Sequence, residues 1–168
     1  MIIVMDNGYA PRPGSDNLQT PRGDNNLFSD LVTKELIPVI DAQYRTLANK
    51  ENRAIAGLSM GGGQALNIGL NNPALFASVA TFSGGGRGPV DLEKAYNGVF
   101  KDAATFNASY RLLFIGCGTL EGSFKAMKEF HEALTQKGIN NSWSEPYGSH
   151  EWQVWRVHLY DFAQLLFK

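Results

Sequence analysis

Short, almost uniformly apolar runs alternate along this chain with longer amphipathic stretches. Met1–Met5, Arg53–Leu58, Phe76–Phe82 and Arg111–Cys117 are runs of five to seven residues with little polar alternation, most of them followed by Gly, Asn or Ser. That pattern predicts strands covered on both faces, as in parallel sheets. Asn141–Tyr147 instead alternates Trp143, Glu145 and Tyr147, which predicts a half-exposed strand.

Between the runs the period changes to that of a helix. Leu27, Leu31, Leu36 and Ile40 recur near helical spacing through Phe28–Tyr44, with Ser29 or Asp30 as caps and Pro38 marking a kink or a break. Ser123–Lys137 places Phe124, Met127, Phe130 and Leu134 on one face and Lys and Glu on the other, and Gly138 closes it. Trp152–Phe167 is a final amphipathic helix, whereas Asp91–Ala108 is only weakly helical. Tyr9–Asn26, with three prolines and almost no apolar periodicity, is expected to be a long surface loop. Strand, helix and strand in succession imply parallel pairing, so the expected fold class is α/β with a mostly parallel central sheet.

Composition narrows the partners. With 168 residues, 43% of them apolar, the chain is long enough for one core, and a single domain over 1–168 is expected. Fifteen basic and sixteen acidic residues are interspersed, which argues against a nucleic-acid surface or a basic membrane anchor and favours a small, neutral partner. The lone Cys117 lies in an apolar stretch and is expected to be a buried structural thiol. Met1–Met5 is too short to span a bilayer and lacks the charged flank and cleavage site of a signal peptide, so localisation stays open. The glycine-rich Ser83–Pro89 lacks the Lys-Ser/Thr pair of a phosphate-binding loop.

Candidate chemistry centres on Gly57-Leu58-Ser59-Met60-Gly61, a GxSxG pattern between an apolar run and a helical stretch. In that context a serine is held on a tight bend with its hydroxyl above the C-terminal edge of the sheet. A serine hydroxyl needs a base in hydrogen-bond reach, and the base needs a group that fixes its tautomer. His131 and His158 fall inside helices, where packing or surface roles are expected. His150 falls in a loop between strand and helix, on the same sheet edge as Ser59. Glu121 is the carboxylate in the loop after the Arg111–Cys117 strand and is the preferred acid, with Asp91, Asp102 and Glu151 in reserve. The N–H of Met60 would supply one oxyanion-hole donor.

The segments IIVMDNG, FSDLVTKELIPVIDAQYR, NRAIAGLSMGGGQALNIGL, FASVATFSG, LLFIGCGT and GSHEWQVWRVHLYDFAQLLF together resemble the esterase D-like branch of the α/β hydrolases. Within it they are most similar to the feruloyl and acetyl xylan esterases of carbohydrate esterase family 1. The resemblance implies a three-layer sandwich and hydrolysis of esters on plant cell-wall polysaccharide, with no metal or organic cofactor. It places the nucleophile on Ser59, the histidine on His150 and the acid on Glu121, where the family more often has Asp. Trp152, Trp155 and Arg156 match its tail motif and imply packing and orientation of the histidine loop. Family members carry further strands ahead of the one that matches Met1–Met5, one of which completes the oxyanion hole, so the fold is expected to be reduced at its N-terminal side. Two repairs follow as expectations: either Met1–Met5 pairs directly with Arg53–Leu58 and the Asn7-Gly8 turn offers the second donor, or a second copy pairs with the open sheet edge. A general small-ester hydrolase, an acyltransferase, and an inactive hydrolase fold kept as a binding module are the competing readings.

Overall fold

Four of the five expected strands form a single sheet in the computed structural model, which describes residues 1–10, 25–85 and 88–168. These are β1 (Ala54–Leu58), β2 (Ser78–Phe82), β3 (Leu112–Gly116) and β4 (Ser142–Ser144), hydrogen-bonded in the order β1-β2-β3-β4 and parallel throughout. β2 is buried at every position, its small polar residues Ser78 and Thr81 included, as befits a central strand covered on both faces. The last strand is shorter than its alternation implies, with only Ser142–Ser144 in the ladder.

Each crossover contains helix: α3 (Met60–Asn71) joins β1 to β2, the turn α4 (Ala95–Gly98) and α5 (Ala103–Ser109) join β2 to β3, and α6 (Phe124–Gln136) joins β3 to β4. Because the strand order advances steadily, right-handed crossovers put these helices on one face. Accordingly Gly69 of α3 lies against Val79 and Ile55, while Leu66 of α3 and Met127 of α6 both border Gly85. α7 (Trp152–Leu165) returns across the opposite face, where its Phe162 packs with Ala80, Phe82 and Phe114 in edge-on and tilted aromatic contacts. Residues 48–168 thus make the three layers of an α/β fold: α3 and α6, sheet, α7.

The described residues fall into two compact units, Met1–Leu47 and Ala48–Lys168. In the first, the Phe28–Tyr44 helix is realised in three joined segments: α1 (Asn25–Asp30), a π-helical stretch at Leu31–Leu36, and α2 (Ile37–Gln43) with Pro38 in its first turn. Pro38 comes just after the π-helical stretch in a backbone that stays helical at Leu36 and Ile37, so the wider turn stands where the ring interrupts the hydrogen-bond ladder. Residues 11–24 of the expected long loop, and Gly86 and Arg87 of the glycine-rich stretch, lie outside the described residues.

Met1–Met5 is not a strand. Its side chains are exposed, Met1 at 85%, Ile3 at 72% and Met5 at 89%, and it belongs to no ladder. An apolar run becomes a strand only where another strand satisfies its N–H and C=O groups and a layer covers its side chains. Within the sheet of residues 48–168, β1 bonds to β2 alone among the described residues.

Candidate active site

Parallel pairing sets the four strands' C-terminal ends side by side, and the loops leaving them inherit that alignment. The ladder continues one residue past the strands: Ser59 N–H donates to Phe82 O at 2.8 Å, Ser83 N–H to Gly116 O at 2.7 Å, and Cys117 N–H to Ser144 O at 3.0 Å. Each loop thus starts at a height fixed by its neighbour. Such an edge is where open α/β sheets bind ligands.

Ser59 sits at the bend between β1 and α3 with φ 52° and ψ −118°, a backbone conformation that a non-glycine residue holds only when its surroundings impose it. Gly57 permits the bend, because a Cβ there would lie 2.1 Å from Gly61 O. Gly84 permits the next loop to pass close by, since its Cβ would lie 2.3 Å from Ser59 O. Behind the serine, Gly62 and Gly63 donate their N–H groups to Ser59 O at 3.1 and 3.2 Å. Met60, directly after Ser59, is the first residue of α3, so its N–H has no intrahelical acceptor.

His150 reaches Ser59 from the loop after β4. Its Nε2 lies 2.7 Å from Ser59 Oγ, and its Nδ1 lies 2.7 Å from Glu121 Oε2. The histidine and acid loops are tied together by backbone: Thr119 N–H donates to Pro146 O at 3.1 Å and Leu120 N–H to Gly148 O at 2.9 Å. The approach is close enough that a Cβ on Gly118 would lie 2.5 Å from Gly148 O. Within the histidine loop Ser149 N–H donates to Glu151 Oε1 at 3.0 Å, so Glu151 shapes the loop that bears His150. Asp102 caps α5 through Thr105 N–H at 2.7 Å, and Asp91 bonds Glu93 N–H and Lys94; the reserve carboxylates thus have other partners.

The side chain of Glu121 is only 2% exposed, whereas that of His150 is 46% exposed. Burial alone would raise the Glu121 pKa. Donation from the Ser83 hydroxyl, contact with the His150 ring and donation from Gly118 N–H at 2.9 Å outweigh it and hold the carboxyl below its usual range. An ionised carboxylate accepts at Nδ1, so the proton on neutral His150 stays on Nδ1 and leaves the Nε2 lone pair for the Ser59 hydroxyl.

Three further groups complete the picture. Trp155, on the first turns of α7, packs edge-on to His150 with ring centres 4.9 Å apart and donates Nε1–H to Ser83 Oγ at 3.0 Å. Ser83 was not singled out by sequence; its only signal is that it directly follows β2 at the same sheet edge. Asn7 and Gly8 lie in the other unit, in a turn whose own side chains take the N–H groups: Gly8 N–H donates to Asp6 Oδ1 at 2.8 Å and Tyr9 N–H to Asn7 Oδ1 at 3.0 Å. His131 is stacked on Trp143 with ring centres 5.3 Å apart. His158 is fully buried against Phe82 and Phe114, with Nδ1 3.2 Å from Ser144 Oγ.

The chain is similar to known proteins over most of its length. The family described as "Putative esterase" matches residues 1–165. An endo-1,4-beta-xylanase/feruloyl esterase of Xylanibacter ruminicola is 35% identical over 142 residues, covering 84% of this chain and 18% of that protein. An esterase of Mycobacterium tuberculosis is 33% identical over 123 residues, covering 73% of this chain and 25% of that protein. Among solved structures, a CE1 ferulic acid esterase from Anaeromyces mucronatus in complex with ferulic acid superposes with a TM-score of 0.73 at 27% identity, covering 95% of this chain and 62% of that one. The chain therefore spans less than two thirds of the length of each of these relatives.

Proposed function

The chain belongs to the esterase family that matches residues 1–165, and from that membership we propose that it is a serine carboxylic ester hydrolase working through an acyl-enzyme. The observation that carries this reading is the continuous line from Glu121 Oε2 to His150 and on to Ser59 Oγ, with both separations 2.7 Å. Ser59 attacks the ester carbonyl as its proton passes to His150 Nε2. The negative charge developing on the carbonyl oxygen is met by Met60 N–H at the N-terminus of α3. Collapse expels the alcohol, which takes the proton back from His150, and leaves the acyl group on Ser59. Water, deprotonated by the same His150, then releases the acid and restores the serine. Throughout, Glu121 holds the imidazole and stabilises its charged form. No step calls for a cofactor.

The relatives support a reading of the substrate class. The xylanase/feruloyl esterase and the ferulic acid esterase complex support feruloyl or acetyl esters of plant cell-wall polysaccharide, or small aryl esters, as substrates. The half-exposed His150 is consistent with an ester presented on a large alcohol. The open edge of β1 would allow two copies to pair, and a monomer in sedimentation at micromolar concentration would dismiss that association. Turnover of methyl ferulate and p-nitrophenyl acetate by the wild type and Ser59→Ala tests the whole reading. Loss of turnover in Ser59→Ala is expected, and equal rates would sink it.

A further inference from the structure

We infer that Ser83 is a positioning residue of this site, acting through Glu121 and itself aimed by Trp155; the inference rests on the esterase reading above. Three observations converge on it. Ser83 Oγ is bonded to Glu121 Oε1, and Trp155 Nε1 lies 3.0 Å from the same Ser83 Oγ. Ser83 is also buried, at 6% exposure, directly after β2. Finally, it holds φ at 57°, in the left-handed region that favours glycine. A serine there carries a conformational cost that glycine would not, and the bonds its hydroxyl makes offset that cost.

Donor chemistry sets the direction of the chain. An indole nitrogen can only donate, so Trp155 fills a lone pair of Ser83 Oγ and leaves the single hydroxyl proton to point at Glu121. Glu121 Oε1 then receives two donors, the Ser83 hydroxyl and Gly118 N–H at 2.9 Å. Oε2 faces His150 Nδ1 at 2.7 Å. Bonds therefore run in one sense, from indole to hydroxyl to carboxylate, and meet the imidazole with a carboxylate that is ionised and fixed in rotation. Trp155 also packs edge-on to His150, so one side chain buttresses both ends of the pair. Without the Ser83 proton, Oε1 loses a side-chain donor while Gly118 N–H remains, the carboxyl becomes easier to protonate, and it turns more freely about the Cγ–Cδ bond.

The test uses Ser83→Ala, Ser83→Gly and Trp155→Phe in the full chain. Ser83→Ala and Ser83→Gly should each lower kcat about 10-fold or more with KM little changed, because a hydrogen bond to a charged group is lost without touching substrate. Both should move the acid limb of the kcat/KM profile to higher pH. They should also raise the Glu121 titration midpoint, followed by carbon NMR of protein labelled at the glutamate carboxyl. Trp155→Phe keeps a ring beside His150 and should shift the midpoint in the same direction by less. Ser83→Gly relieves the positive φ, so it decides the matter if Ser83→Ala fails to fold. A wild-type Glu121 titration in either Ser83 variant would overturn the inference, whatever its kcat. The titration needs no turnover: a wild type whose hydrolysis does not depend on Ser59 removes the esterase reading, and an unmoved midpoint removes this one.

Discussion

Glu121→Gln is the sharpest probe of the site, because it removes one charge and changes almost no volume. Glu121 accepts at both oxygens, at Oε1 from Gly118 N–H and Ser83 and at Oε2 from the His150 Nδ1–H. A glutamine can satisfy the first pair only by turning its carbonyl toward Gly118 and Ser83. Its amide NH2 then faces Nδ1 at the 2.7 Å position, and a donor there forces the neutral ring to carry its proton on Nε2. A protonated Nε2 cannot take the proton of Ser59 across the other 2.7 Å contact. The opposite amide orientation sets NH2 against two donors in a side-chain site only 2% exposed, where water cannot relieve the conflict. Loss of the correct tautomer in a serine triad costs about 10^4 in kcat, or about 5 kcal/mol of barrier. Glu121→Asp is the control: it keeps the charge and shortens the reach by one methylene, so it should lose less, about 10- to 100-fold, through weaker contact with Nδ1. The assay is steady-state and burst-phase hydrolysis of p-nitrophenyl acetate, with circular dichroism to verify folding. A Glu121→Gln variant within 10-fold of wild type would refute the reasoning, and would return the role of acid to another carboxylate.

Other consequences concern stability and reactivity. Gly57→Ala puts a methyl group 2.1 Å from a backbone oxygen, so the elbow must open; Tm should fall by about 10 °C or more in calorimetry, and activity should fall with it. Phe114→Ala removes a ring that is 1% exposed and touches Phe82, His158 and Phe162, with an expected loss of about 3 to 5 kcal/mol in denaturant titration. Burial pushes the His158 pKa down to about 4, against the opposing pull of the Glu121 and Asp161 carboxylates. The unfolded chain therefore binds the extra proton first as pH falls: the contribution of neutral His158 is intact above about 6.5 and declines toward pH 4, by up to about 3 kcal/mol. Denaturation of His158→Gln across that window should show a flatter pH dependence than wild type. Burial likewise pushes the Cys117 thiol up to about 11, so native protein should react with a disulfide reagent only at the rate of unfolding, whereas denatured protein reacts at once.

Much of the arrangement of Ser59, His150 and Glu121 is legible in the sequence. Three apolar runs and the alternation near Trp143 located the four strands, the GxSxG context located α3, and helix period located α6 and α7, because a buried face is written into the spacing of side chains. Given parallel strands, their C-terminal ends share one edge by geometry, which is enough to bring the loops of Ser59, Glu121 and His150 together from positions 91 residues apart. Two matters were decided only in three dimensions. Met1–Met5 has the composition of a buried strand yet joins no ladder, since hydrophobicity declares what a segment can bury but not whether a partner edge is presented to it. Ser83 has no local pattern at all; it matters because β2 ends beside β3 at the height of Glu121 while α7 lays Trp155 over the opposite face. Periodicity along a chain records burial, whereas the meeting of single polar atoms depends on strand register and on where a distant helix comes to rest.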